Sequence, residues 1–130
     1  MIVDSSAVIA VLKEEPEAQR FLHELSAAAG PKRMSSANYL EAAIVVDANR
    51  NPLLSRRFDD LIAATGIIIE SVTREQAEIA RAAYRDFGRG GGHPAGLNFG
   101  DCFAYALAKA TREPLLFKGD DFSRTDVAAA

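Results

Sequence analysis

Four acidic positions in this chain could do chemistry together. Asp4 ends the opening apolar run Ile2-Val3. Glu41 stands in Ser35-Ser36-Ala37-Asn38-Tyr39-Leu40-Glu41-Ala42, and Asp101 in Leu97-Asn98-Phe99-Gly100-Asp101-Cys102-Phe103. Asp120-Asp121 follows the late apolar run Leu115-Leu116-Phe117. Each acid falls at a predicted strand end or near a predicted helix start, points that converge at one edge of a sheet flanked by helices. Carboxylates gathered there repel one another unless a hard cation such as Mg²⁺ sits among them. A bound metal lowers the pKa of its water, and two ions can stabilise the attacking and leaving oxygens of a phosphodiester. Zinc is disfavoured, because no His/Cys set has ligand spacing.

The elements that must position these acids are short strands alternating with helices. Ile2-Val3 reads as a buried strand, followed by a helix through Val8, Ile9 and Leu12 that Ser5-Ser6 can cap. Ala18, Phe21, Leu22, Leu25 and Ala28 mark the face of a second helix, which Gly30-Pro31 ends. Lys32-Arg33-Met34 can form a strand, and a helix runs from Ser36–Asn38 to about Arg50. Asn51-Pro52 restarts a helix whose core face is Leu54, Phe58, Leu61 and Ile62. Ile67-Ile68-Ile69 predicts a strand buried on both faces. Thr73-Arg74-Glu75-Gln76 has the capping-box pattern, and its helix turns Ile79, Ala80, Ala83, Tyr84 and Phe87 inward. After the loop Gly88–Gly96, a helix over about Gly100–Thr111 and the strand Leu115-Leu116-Phe117 complete the pattern. The tail Val127–Ala130 adds an edge strand or frays. This alternation predicts a three-layer α/β/α sandwich on a mainly parallel sheet, one domain over residues 1–130. Right-handed crossovers bring Asp4 and Asp120-Asp121 to a common edge.

Each acid also has a purely structural reading. Glu41 and Asp101 lie three residues after Asn38 and Asn98, so each pair could be a capping box, and acids in a first helical turn gain about 0.3–1 kcal/mol from the helix dipole. Asp120-Asp121 could be a solvated turn. Asp4 is harder to explain in this way, because a carboxylate ending a buried strand needs a partner and no base is near it in sequence.

The chain has 130 residues, 48% hydrophobic and 25% charged, enough for one core. No apolar run approaches the roughly 20 residues that cross a bilayer, and Met1-Ile2-Val3-Asp4 does not open like a secretory signal, so a cytoplasmic protein is expected, with no membrane partner. A net charge of −3 argues against a purely electrostatic nucleic-acid binder. It does not exclude a nuclease whose acids carry metal. Arg89, Lys109, Arg112 and Lys118 lie near the late acids in sequence and could hold an RNA backbone. The other reading of these four is scattered surface charge. Cys102, the single cysteine, is expected to be an ordinary buried residue, since neither His23 nor His93 pairs with it.

Four blocks together, Met1–Ala7, the helix-borne Glu41, Leu97–Cys102 and Leu115–Phe122, resemble the PIN-domain family, and within it the VapC-type toxins of bacterial toxin–antitoxin pairs. The resemblance covers essentially the whole chain. It implies a Mg²⁺- or Mn²⁺-dependent endoribonuclease that cleaves a structured RNA of the tRNA or rRNA class. It also implies a homodimer and a cognate VapB-type antitoxin that covers the site. By position, Asp4 and Asp101 match the metal ligands, Glu41 the third acid and Ser6 the supporting hydroxyl, with Asn98 and Asp120 beside them. Many PIN domains carry Thr-x-Asp after the last strand, where this chain has Phe117 and Gly119. The fourth acid therefore shifts to Asp120 or Asp121, and Asp121, which precedes Phe122, is the better match. The apolar residues around Phe58, Leu61 and Ile62 are the expected surplus face for the dimer.

Two rivals differ in class. A phosphoacceptor receiver domain needs paired acids after its first strand, whereas Asp4 stands alone. A PIN-like binding module without catalysis would have no need of all the acids that this chain keeps.

Overall fold

The computed structural model describes all of Met1–Ala130. Four strands, β1 (Ile2–Val3), β2 (Arg33–Ser35), β3 (Ile68–Glu70) and β4 (Leu115–Leu116), form one sheet in the order β3-β2-β1-β4. Every pairing is parallel, with Ile2 opposite Arg33 and Leu115, and Val3 opposite Leu116. All four strands thus end at the same edge. The six helices are α1 (Ser5–Leu12), α2 (Ala18–Ala27), α3 (Ser36–Asp47), α4 (Pro52–Thr65), α5 (Arg74–Phe87) and α6 (Phe99–Thr111).

Side chains alternate across a strand, and here the alternation divides the core in two. Ile2 and Leu115 pack with Ala80, Ala83, Leu97, Ala104 and Leu107 on the α5–α6 side. Val3, Met34 and Leu116 pack with Val8, Phe21, Leu25, Val46 and Phe58 on the α1–α4 side. Helices therefore cover both faces of the parallel sheet, the expected three-layer sandwich.

Three expectations need correction. Ile67-Ile68-Ile69 is not buried on both faces. Only Ile67 is buried, because β3 is the outermost strand, and Ile68 and Ile69 are 46% and 38% exposed. The residues around Phe58 are not surplus: Phe58 is buried, and Leu54, Leu61 and Ile62 pack against the same cluster. Tyr84 does not face the core, being 44% exposed. The tail does pair with the sheet: Leu115 N–H donates to Ala128 O and Ala130 N–H to Leu115 O, both at 2.9 Å. Arg33, the first residue of β2, joins Glu70, the last of β3, at 2.5 Å and Glu113 ahead of β4 at 3.0 Å.

Candidate metal and active site

Asp4 follows Val3 at the end of β1 and is the N-cap of α1, with extended backbone. Its main chain continues the sheet, since Asp4 N–H donates to Leu116 O at 2.9 Å. Its side chain is buried. Oδ2 accepts from Ser6 N–H at 3.0 Å and from Ser6 Oγ–H at 2.5 Å. Oδ1 is buried with no hydrogen-bond partner. Burial pushes the carboxyl up to about 6, against the pull of the Ser6 hydrogen bonds, and the charges of Asp101 and Glu41 push it the same way. Ser6 Oγ also accepts from Lys118 N–H at 3.0 Å, which ties the loop after β4 to Asp4.

Ser35, the last residue of β2, caps α3, its Oγ accepting from Ala37 N–H at 3.3 Å. Glu41 therefore lies in the second turn of α3, and Asn38 and Glu41 form no capping box. Ser5 Oγ–H donates to Glu41 Oε1. Glu41 reaches across to α6, where a Cβ on Gly100 would stand 1.9 Å from Glu41 Oε2. Asn38 is fully buried and its Nδ2 donates to Gly100 O at 2.9 Å.

Asp101 belongs to a complete capping box. Its N–H donates to Asn98 Oδ1 at 2.8 Å, and its Oδ2 accepts from Asn98 N–H at 3.0 Å. This holds the carboxylate in the first turn and leaves Oδ1 outside the box. Burial raises the Asp101 pKa. The Asn98 hydrogen bond opposes that shift, Asp121 and then Glu41 add to it, and Arg89 lowers it.

Of the two late acids, Asp121 is the one whose charge acts on Asp101. It is exposed and begins the 3₁₀ turn Phe122–Arg124. Asp120 is exposed too, in a surface hollow with Lys118, Glu17 and Arg20. Among the four basic residues, only Arg89 stands with the acids. Lys109 pairs with Asp126 at 2.8 Å, and Arg112 is the C-cap at the far end of α6. Lys118 is held by Glu15 and, at 3.5 Å, by Glu17. Cys102 is buried, donates to Asn98 O at 3.3 Å and has its thiol pushed up to about 11, as burial beside Asp101 requires.

The sequence reading missed Ser5, Asn38 and Gly100. Phe-Gly-Asp at a helix start was the available signal for the last, since glycine permits close approach of a neighbouring group.

The acids form no tight cage: no three His, Cys, Asp or Glu side chains are grouped as ready-made ligands. That fits Mg²⁺, which keeps several waters and takes one or two carboxylates. It also fits the unpartnered Asp4 Oδ1, which otherwise leaves a buried acceptor unsatisfied.

At the edge where the parallel strands end, Asp4 closes β1 while Glu41 and Asp101 are carried by α3 and α6, and the PIN domain family profile matches residues 1–128. The chain belongs to the PIN-domain family. Ribonuclease VapC28 of Mycobacterium tuberculosis is 55% identical over 130 residues, covering 100% of this chain and 97% of that protein. Among solved structures, the Mycobacterium tuberculosis sarcin-ricin loop cleaving toxin VapC20 matches with a TM-score of 0.75 at 14% identity, over 99% of this chain and 97% of that one. A toxin–antitoxin complex from Klebsiella pneumoniae matches with a TM-score of 0.73 at 17% identity, over 99% and 95%. At these identities the two structures bear on the fold alone. No helix of the chain is long and apolar enough to cross a membrane.

Proposed function

We propose that this chain is a metal-dependent endoribonuclease toxin, acting on structured RNA of the tRNA or rRNA class and neutralised by a VapB-type antitoxin. The observation that carries the reading is the buried, unpartnered Oδ1 of Asp4 beside the charges of Asp101 and Glu41. Such a carboxylate is costly unless a cation meets it. The 55% identity to a named ribonuclease over the whole chain supports the activity. The substrate class and the antitoxin partner are taken from the resemblance to VapC-type toxins, a name that this relative carries.

In this reading Asp4 and Asp101 hold Mg²⁺ or Mn²⁺. When bound, the ion supplies a Lewis acid and lowers the pKa of water. Ser6 fixes the Asp4 carboxylate, and Asn98 fixes that of Asp101. Glu41, oriented by Ser5, accepts a proton from the attacking water. Asp121 is the fourth acid and Asp120 stays peripheral. Arg89 contacts RNA phosphate, a role that the pairing of Lys109 and Lys118 leaves mostly to it. Leu40, Ile44 and Leu53, each more than half exposed on α3 and α4, supply the apolar face for a homodimer or the antitoxin.

Incubation of the purified protein with total RNA tests the activity. Cleavage with Mg²⁺ that EDTA and Asp4→Asn each abolish is the expected result. Cleavage that persists in EDTA would reject a metal-dependent mechanism.

A further inference from the structure

Beside the acidic edge, α5 and the first turn of α6 border an apolar groove of about 710 Å³. The small side chains Ala77, Ala80 and Cys102 leave it open, and Phe99 and Phe103 line it. Phe99 is 79% exposed, more than any other large hydrophobic residue of the chain. Its ring meets Phe103 edge to face, with centroids 4.9 Å apart and planes at 84°. That contact leaves most of the Phe99 ring surface to solvent. Phe99 opens α6 two residues ahead of Asp101.

Two cations border the same groove. Arg81 and Arg89 both line it, and neither forms an ion pair. Arg89 is near enough to Asp101 to favour its ionised form. The other apolar surface, Leu40, Ile44 and Leu53, is wholly aliphatic, as suits contact with a protein. An exposed aromatic ring beside free arginines has a different complement. It matches single-stranded nucleic acid, whose bases stack on rings while its phosphates take the cations.

We propose that Phe99 stacks an unpaired nucleobase of the RNA substrate, with Arg81 and Arg89 on the adjoining phosphates, and so presents the neighbouring phosphodiester to Asp101. The proposal rests on the ribonuclease reading above. Every base has a π-face, so the platform selects an unpaired nucleotide over a duplex and reads little sequence.

The test uses the full chain in the Asp4→Asn background, which prevents cleavage, and hairpin RNAs carrying a fluorescent adenine analogue at successive loop positions. Binding should quench the analogue at one loop position. Phe99→Ala should remove that quenching and weaken binding about 5- to 150-fold, the range of one base–aromatic stack. Phe99→Trp should restore both, with the melting temperature unchanged throughout. Parental binding and quenching in Phe99→Ala would overturn the proposal while wild-type cleavage of RNA still upheld the nuclease. Parental RNA affinity together with a dimer-to-monomer change in light scattering would assign the groove to a second copy. Failure of the wild-type protein to cleave any RNA with Mg²⁺ would remove the ribonuclease reading, and the stacking role with it.

Discussion

Glu41 lies so close against Gly100 that a Cβ there would stand 1.9 Å from Glu41 Oε2. Glu41, carried by α3, is thus seated on the first turn of α6, which carries Asp101. Asn38 reinforces the seat by donating to Gly100 O at 2.9 Å.

Gly100→Ala should therefore displace the Glu41 carboxylate. The obstructing atom is the end of a flexible side chain, so the fold should survive with little change in melting temperature. RNA cleavage should fall about 100-fold, the scale of a misplaced catalytic group. Cleavage at the wild-type rate would show that Glu41 need not stay in its seat.

Asn38 is buried and its only hydrogen bond from Nδ2 ties two helices together. Asn38→Ala removes this bond between α3 and α6 and should cost about 0.5–1.5 kcal/mol in urea unfolding. A variant as stable as the parent would mean that water replaces the contact.

Asp4 makes the metal-free protein pH-sensitive. Its folded pKa of about 6 lies above the usual 3.8, so the folded state holds its proton more tightly than the unfolded chain. The resulting stability is fully present below about pH 4, is lost as pH rises through 6, and amounts to about 3 kcal/mol at most. In EDTA, Asp4→Asn should flatten this slope and raise the melting temperature near neutral pH. Mg²⁺ should raise the wild-type melting temperature more at pH 7.5 than at pH 5. An equal metal effect at both pH values would contradict a strained acidic pocket.

Arg89 and Lys118 should separate in RNA binding. Lys118 is engaged by Glu15 and Glu17, whereas Arg89 is free beside Asp101. Arg89→Ala should reduce the salt slope of binding by about one, and Lys118→Ala should leave it unchanged. The reverse outcome would place the RNA on the β4 side of the site.

Much of this architecture was legible in the sequence because strand–helix alternation dictates parallel strands, and parallel strands gather their ends. Asp4, Asp101 and the Asn98 capping box were readable from local pattern alone. The status of Ile67-Ile68-Ile69 was not, because β-branched runs look alike in central and edge strands and only the strand order decides between them. Phe58, Leu61 and Ile62 misled for a related reason: an amphipathic face does not say whether its partner lies within the chain. The partners of Ser5, Asn38 and Gly100 lie 36 to 62 residues away, beyond any local signal. Lys109 and Lys118 looked free in sequence, but folding supplies their carboxylates.

Titration with Mn²⁺, followed by its electron paramagnetic resonance signal, tests most directly whether Asp4 and Asp101 hold one divalent-cation site. The wild-type protein should take up the ion, and Asp4→Asn and Asp101→Asn should each lose that binding while remaining folded. Undiminished Mn²⁺ binding in both variants would contradict the assignment and place the metal elsewhere on the chain.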